Sequence, residues 1–301
     1  MKKLLALLLA LVMVLSLTAC VSESADDDDE QEAASADQSD NNKGSTQVNA
    51  PITFQETVVE DNDACIIKIT DIDPDGIFGY DVSVYLENKT ESTTLMYSVR
   101  AASTNGVTND PFFAASVEPG KKANETITFS DSELADIIGD FTDIMLSFRV
   151  YDNNDWLADP VAEPIIHIYP YGEEKATTYV RQAQATDTVI FDNDKVTAIV
   201  TGYEEDAFLG YIANVYLVNK TEADAMFSAD EVSVNGFMCD PFFATTVNAN
   251  SCAFAQISWS EDSLSENKIE EVEEIEMTVR AYDSNDWFAD DFAKEKITLH
   301  P

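Results

Sequence analysis

Basic residues are scarce in this chain: 17 Lys and Arg stand against 57 Asp and Glu in 301 residues, a formal charge of −40. Such a balance repels phosphate backbones and anionic headgroups, so nucleic acid is excluded as a partner. A cationic partner or a divalent cation stays open, and an acidic solvated surface also simply keeps an exported protein soluble. Histidine occurs only as His167 and His300. No Gly-x-Ser-x-Gly, HExxH, CxxC or phosphate-cradling glycine loop is present, so nothing supports nucleophilic or zinc catalysis and no cofactor is implied. The chain therefore reads as a non-enzyme. Paired carboxylates for glycoside chemistry stay open, because they are recognised by separation in space and not by spacing in sequence. Cysteines number four, and one long apolar run occurs, at the very start.

That run opens with Lys2 and Lys3, continues through Leu4–Leu15 and ends in Leu17-Thr18-Ala19-Cys20. Positive flank, apolar stretch and small residues before a cysteine match a bacterial lipoprotein signal; the alternative is an ordinary secretory signal with a chance cysteine. Residues 1–19 are thus expected to be a signal peptide, with Cys20 taking a diacylglyceryl group and holding the chain on the extracellular face of the cytoplasmic membrane. Without the leader's two lysines the charge becomes −42. Residues 20–50 are polar, with the run Asp26-Asp27-Asp28-Asp29-Glu30, and read as a disordered acidic tether able to reach about 100 Å when extended. Three cysteines remain, Cys65, Cys239 and Cys252. An odd number outside the cytosol leaves at least one unpaired. The spacing allows a Cys239–Cys252 disulfide across a turn.

The rest of the chain is written twice. Asp61-Asn62-Asp63 answers Asp192-Asn193-Asp194; Asn88-Lys89-Thr90-Glu91 answers Asn219-Lys220-Thr221-Glu222; Asn105-Gly106 answers Asn235-Gly236. Asp110-Pro111-Phe112-Phe113-Ala114 recurs whole at Asp240–Ala244, and YDNNDWLAD at Tyr151–Asp159 recurs as YDSNDWFAD at Tyr282–Asp290. The offset slips by one residue and returns, as connections between fixed elements allow. The expected division is repeat 1 at 51–170, a linker at 171–186 and repeat 2 at 187–301.

Within each copy the apolar period is two. Ile144, Leu146, Phe148 and Val150 alternate with polar or outward residues, as do Ile275, Met277, Val279 and Ala281. Val82, Val84 and Leu86 match Ala213, Val215 and Leu217. These are half-buried strands, with more expected near 64–70, 95–101, 112–117, 125–129 and 165–169. Ser130 and Glu133 have capping-box spacing ahead of one short helix. The fold class is all-β: two tandem immunoglobulin-like β-sandwiches, each with a short helix. The Cys…Trp…Cys pattern of antibody domains is absent, so the likeness is one of architecture.

LENKTESTTLMYSV, STNGVTNDPFFAASVEPGKKANETITFSDSEL and IMLSFRVYDNNDW together resemble an immunoglobulin-like repeat of lipoproteins from Gram-positive, largely clostridial, gut bacteria. The layout is also similar to the telokin-like, immunoprotective extracellular group. The resemblance covers both repeats and implies an exported module at the cell envelope, with no catalytic residues to carry over. Repeat 2 departs from the pattern at Asn250-Ser251-Cys252, where repeat 1 has Gly120-Lys121-Lys122.

Two groups of residues are candidates for function. In the Phe-Phe pairs, one ring of each must enter the core and the other face outward, bare or covered by the Asp-Trp loop. Phe112, Phe113, Trp156, Phe242, Phe243 and Trp287 therefore form the candidate binding surface, for an envelope protein or glycan. Asp152, Asp155 and Asp159, with Asp283, Asp286 and Asp290, could hold calcium and make a calcium-stabilised adhesin; the alternative is an Asx-rich turn that bonds its own backbone. The reading is a binding or structural interaction module, with an envelope glycan-processing enzyme or accessory factor as the rival.

Overall fold

The alternating segments are strands in the computed structural model, which describes residues 47, 48 and 50–301 with Trp287 excepted. The leader, Cys20, most of the tether and Trp287 lie outside the described residues. Repeat 1 runs β1 (Thr57–Asp61), β2 (Cys65–Gly76), β3 (Gly79–Asn88), β4 (Leu95–Thr104), β5 (Val107–Thr108), β6 (Ala114–Val117), β7 (Lys122–Phe129), α1 (Ser132–Ile138), β8 (Ile144–Asp152) and β9 (Ile165–Ile168). A 3-10 turn, Glu173–Lys175, lies in the connection. Repeat 2 runs β10 (Thr188–Asp192), β11 (Val196–Asp206), β12 (Gly210–Asn219), β13 (Ala225–Val234), β14 (Phe237–Met238), β15 (Ala244–Val247), β16 (Cys252–Trp259), α2 (Glu261–Glu266), β17 (Ile275–Asp283) and β18 (Ala293–Leu299). No helix among the described residues is long and apolar enough to cross a membrane.

Each repeat is a sandwich of two sheets. In repeat 1 the first sheet has the order β1-β2-β3-β7; the second has β9-β8-β4, with β5 and β6 on the far side of β4. Repeat 2 copies this as β10-β11-β12-β16 and β18-β17-β13, flanked by β14 and β15. The first three strands form a meander on one sheet, so the wiring is not that of an antibody domain. Even the irregularities are copied: β1 and β2 slip register between Val58 and Glu60, and β10 and β11 between Val189 and Phe191. Bulges so placed belong to the fold. Ile67, Ile69, Val84, Leu86 and Ile127 from one sheet meet Leu95, Tyr97, Ile144, Leu146 and Phe148 from the other in a single core. At roughly 1.5–3 kcal/mol for each large apolar side chain removed from water, this interdigitation holds the layers together.

The shared polar motifs are folding devices. Asn88 is buried, and its amide donates to the Thr93 and Val117 carbonyls at 2.8 and 2.7 Å while its oxygen accepts from Thr90 N and Oγ1. Asn219 does the same with Ala223, Val247 and Thr221. Lys89 and Lys220 reach Asp61 and Asp192, tying the Asn-Lys-Thr turn to the Asp-Asn-Asp turn. Helix capping differs from the expected box. Asp131 caps α1 by accepting from Leu134 N at 2.9 Å, because the helix starts one residue later than Ser130 would set it. In repeat 2 the serine does cap: Ser260 accepts from Ser263 N at 3.3 Å.

The repeats are locked to each other. The Asn105-Gly106 turn, both residues at positive φ, projects β5 against the edge of β16, and Val107 pairs in parallel with Cys252. Cys252 N donates to Gly106 O at 3.0 Å, and Asn248 Nδ2 donates to Ala102 O at 2.8 Å. The linker closes the joint: Tyr179 N donates to Asn105 O at 2.7 Å, and Arg181 forks onto Asp187 at 2.7 Å beside the Tyr216 ring. Tyr216 and Cys252, on the outer face of repeat 2, belong to the core of repeat 1, with Ile199, Val218 and Phe254 packed on it. This explains the departure at Asn250-Ser251-Cys252. A start of β16 with the lysines of β7 would drive an ammonium into the joint, so a small apolar thiol stands there. No disulfide forms. The three described cysteines are free, and Cys239 faces Ser263 inside repeat 2 while Cys252 faces repeat 1.

Candidate functional site

The two phenylalanines of each Asp-Pro-Phe-Phe-Ala stretch part company. Asp-Pro does not open a strand; it forms the crossover ahead of β6. Ala102 N donates to Asp110 Oδ1 at 2.7 Å and Val99 N donates to Phe113 O at 3.3 Å, which turns the Phe113 ring inward. Phe113 is 8% exposed and joins the first core; Phe243 is half-buried against the second. Phe113 is thus withdrawn from the surface, while Phe243 packs in part against its core. Phe112 is 98% exposed and Phe242 is 85% exposed, so both rings stand bare.

Phe112 stands on one wall of a cleft of about 850 Å³ between the repeats. The opposite wall is the outer face of β11, β12 and β16, where Thr201, Glu204, Asn214, Phe254 and Gln256 line the opening. Three of these form a row: Gln256 Nε2 donates to Asn214 Oδ1 at 3.4 Å, and Asn214 Nδ2 donates to Glu204 Oε1 at 2.9 Å. Leu134 and Ile137 of α1 close one end. Asp110, Asp131, Glu133 and Glu204 make the lining negative, with no Lys, Arg or His in it. Asp110 is open to the cleft as a residue, yet its bonded oxygen is tucked against β4; burial, helped by the charge of Asp224, holds its carboxyl above the ordinary range while the Ala102 N–H opposes the shift. The apolar half of the repeat 2 face is covered by repeat 1 and the polar half is left open here. Phe242 does not line this cleft: its backbone bridges Ser258 on β16 at 2.8 and 3.1 Å.

The Asp-Asn-Asn-Asp and Asp-Ser-Asn-Asp loops are self-bonded turns. Asp152 Oδ1 accepts from Asn154 N at 2.8 Å and Asp155 Oδ1 from Leu157 N at 3.2 Å. Asp283 and Asp286 repeat this with Asn285 N and Phe288 N. Among the described residues no three acids, histidines or cysteines converge on a point where a metal ion could sit. Among the described residues, Asp159 and Asp290 take no part in these turn bonds. The bonding matches the turn alternative: one oxygen each of Asp152, Asp155, Asp283 and Asp286 is taken by a local amide. Trp156 does not pack on the end of the sandwich. It is exposed, and its carbonyl accepts from Arg149 Nη2 at 3.0 Å. His167 Nδ1 lies 2.8 Å from Asp143 Oδ1 on an exposed edge, away from the cleft lining.

Sequence reasoning missed the β2–β3 and β11–β12 hairpin tips. Ile77 and Phe78, and Phe208 with Leu209, are exposed there. Beside each tip and its helix lies an equivalent hollow, about 620 Å³ in repeat 1 and 600 Å³ in repeat 2. The signal was present as adjacent apolar residues inside a turn. It also missed Glu204, Asn214 and Gln256, whose neighbourhood depends on register across three strands. No family profile and no curated protein matches the chain. Among solved structures it is weakly similar to red sea bream transglutaminase, at 11% identity and TM-score 0.22, over 82% of this chain and 31% of that one. The exo-chitosanase CsxA of Amycolatopsis orientalis matches at 11% identity and TM-score 0.20, over 76% of this chain and 26% of that one. The chain thus spans less than a third of either protein.

Proposed function

We propose that this chain is a lipid-anchored interaction module of a Gram-positive cell envelope, held off the membrane by its acidic tether and gripping a ligand in the cleft between its two sandwiches. The observation that carries the reading is Phe112, a bare aromatic ring facing a hydrogen-bonded amide and carboxylate row. A flat apolar ring suits the face of a sugar, and the Glu204–Asn214–Gln256 row offers donors and acceptors to its hydroxyls, so the ligand is an envelope glycan without acidic groups. The negative lining works against phosphate-bearing or carboxylate-bearing polymers.

The test uses residues 43–301, which form one compact unit, in pelleting assays with purified cell-wall glycan. Burying one phenylalanine is worth about 1.5–3 kcal/mol, so Phe112→Ala is expected to weaken binding about tenfold or more. Phe242→Ala, also bare but outside the cleft lining, is expected to leave it unchanged. No retention of the wild type, or equal losses in both variants, overturns the reading. Anchoring is tested separately: Cys20→Ser is expected to release the protein from membranes into the medium, and retention of that variant would count against lipidation.

A further inference from the structure

The joint between the repeats is made of two halves, and each half exists twice. The projecting half is the Asn-Gly turn with its two-residue strand. In repeat 1 it is consumed: Val107 is buried under β16. In repeat 2 the same turn is equally preformed, since Asn235 Nδ2 donates to Glu271 O at 2.7 Å and its oxygen accepts from Glu273 N and Glu274 N. There Phe237 and Met238 are 50% and 69% exposed. The receiving half is the edge strand of the first sheet. In repeat 2 this is β16, opening with Cys252 paired to Val218. In repeat 1 it is β7, opening with Lys122 paired to the equivalent Glu87, and among the described residues no strand pairs with its outer edge.

The two copies have diverged at these unused halves in opposite charge. Lys121-Lys122 is the only adjacent basic pair after Lys2-Lys3, and it sits at the start of the free β7 edge. Glu270, Glu271, Glu273 and Glu274 crowd the free turn, where repeat 1 has Gly139, Asp140, Thr142 and Asp143. We propose that the unused halves meet between molecules: the Asn235–Met238 projection of one chain docks on the β7 edge of a second copy, with Phe237 beside Lys122 and the glutamates facing Lys121 and Lys122. The contact is continuous in kind with the intramolecular joint, but ionic where that joint is apolar, since Lys68, Glu87 and Asn124 stand where repeat 2 has Ile199, Val218 and Phe254. It is heterologous, so it propagates head to tail instead of closing into a symmetric dimer.

The test is sedimentation velocity of residues 43–301 up to near-millimolar concentration, with Phe237→Ser/Met238→Ser and Lys121→Glu/Lys122→Glu as variants. All four side chains lie on the surface or at its edge, and circular dichroism checks that each variant is folded. The wild type is expected to grow through dimer to longer species. Each variant alone is expected to associate about tenfold more weakly. An equimolar mixture of the two retains one intact joint and is expected to stop at a one-to-one dimer. A monomeric wild type, variants that associate like the wild type, or a mixture no more associated than its components each overturns the proposal.

Discussion

Exchanging the residues that open β7 and β16 tests the account of the joint, because the same swap should cost nothing in one repeat and much in the other. Cys252 is buried where its N–H and thiol meet Gly106 O, with Tyr216 and Phe254 around it. Cys252→Lys imports the sister residue and brings an ammonium with no carboxylate placed for it. Leaving a charge unpaired in such a site costs about 3–5 kcal/mol, and the lower figure applies here because a lysine stem can carry its head toward the joint's rim. For a unit of this size 1 kcal/mol moves the melting temperature by roughly 2–4 °C, so a drop of about 6–12 °C is expected. Calorimetry should show more: the single transition of two coupled repeats splits into two. Trypsin gives a second reading, since Arg181, clamped on Asp187, becomes cleavable once the linker is freed. Lys122→Cys removes an exposed lysine that leans on Glu87 at 3.3 Å, and its cost is expected to stay within about 0.5 kcal/mol. A Cys252→Lys protein that melts once, at the wild-type temperature, with Arg181 still protected, would refute the reasoning.

Phe113→Ala empties a core position and is expected to destabilise repeat 1 by about 3–5 kcal/mol in urea melts, while Phe112→Ala next to it stays within about 0.5 kcal/mol; similar values for the two would contradict their opposite burial. Stability is expected to fall between pH 9 and 11. Burial raises the Cys65 thiol to about 11, so the folded state keeps a proton that the unfolded chain has already lost. That contribution is complete below pH 9, amounts to about 2–3 kcal/mol, and disappears as pH passes 11. The buried hydroxyls of Tyr97 and Tyr216 are also held high by burial and act with the same sign. A urea midpoint that stays flat from pH 8 to 11 would count against this.

Most of the sandwich could be read from the chain because its signals are local. Alternation places Ile144 to Val150 on one face without knowledge of any partner, and comparing the chain with itself finds the turns that Asn88, Asn105 and Asp152 organise. The first strand could not be read: Thr57–Asp61 carries a bulge, which breaks the period. The Asp-Pro-Phe-Phe stretch showed that one ring goes in and one out, but which ring depends on Asp110 reaching the Ala102 amide across the β4–β5 hairpin. The cleft was harder still. Glu204, Asn214 and Gln256 are ordinary strand residues until three registers and a rigid joint bring them opposite Phe112. Cys252 was visible only as an oddity in a turn, because the contact that explains it lies 145 residues earlier, at Val107.

The connection between the repeats could have been a hinge, yet Thr142 and Thr177 join hydroxyls at 2.8 Å and the strand pairing runs without a break from β10 to β9. The loss of freedom from fixing one sandwich against the other is therefore taken once, during folding. A ligand that touches Phe112 on one side and Gln256 on the other closes nothing and orders nothing, so its association should show the single-step kinetics of a preformed groove, with affinity limited by contact quality and not by the entropy of bringing two bodies together.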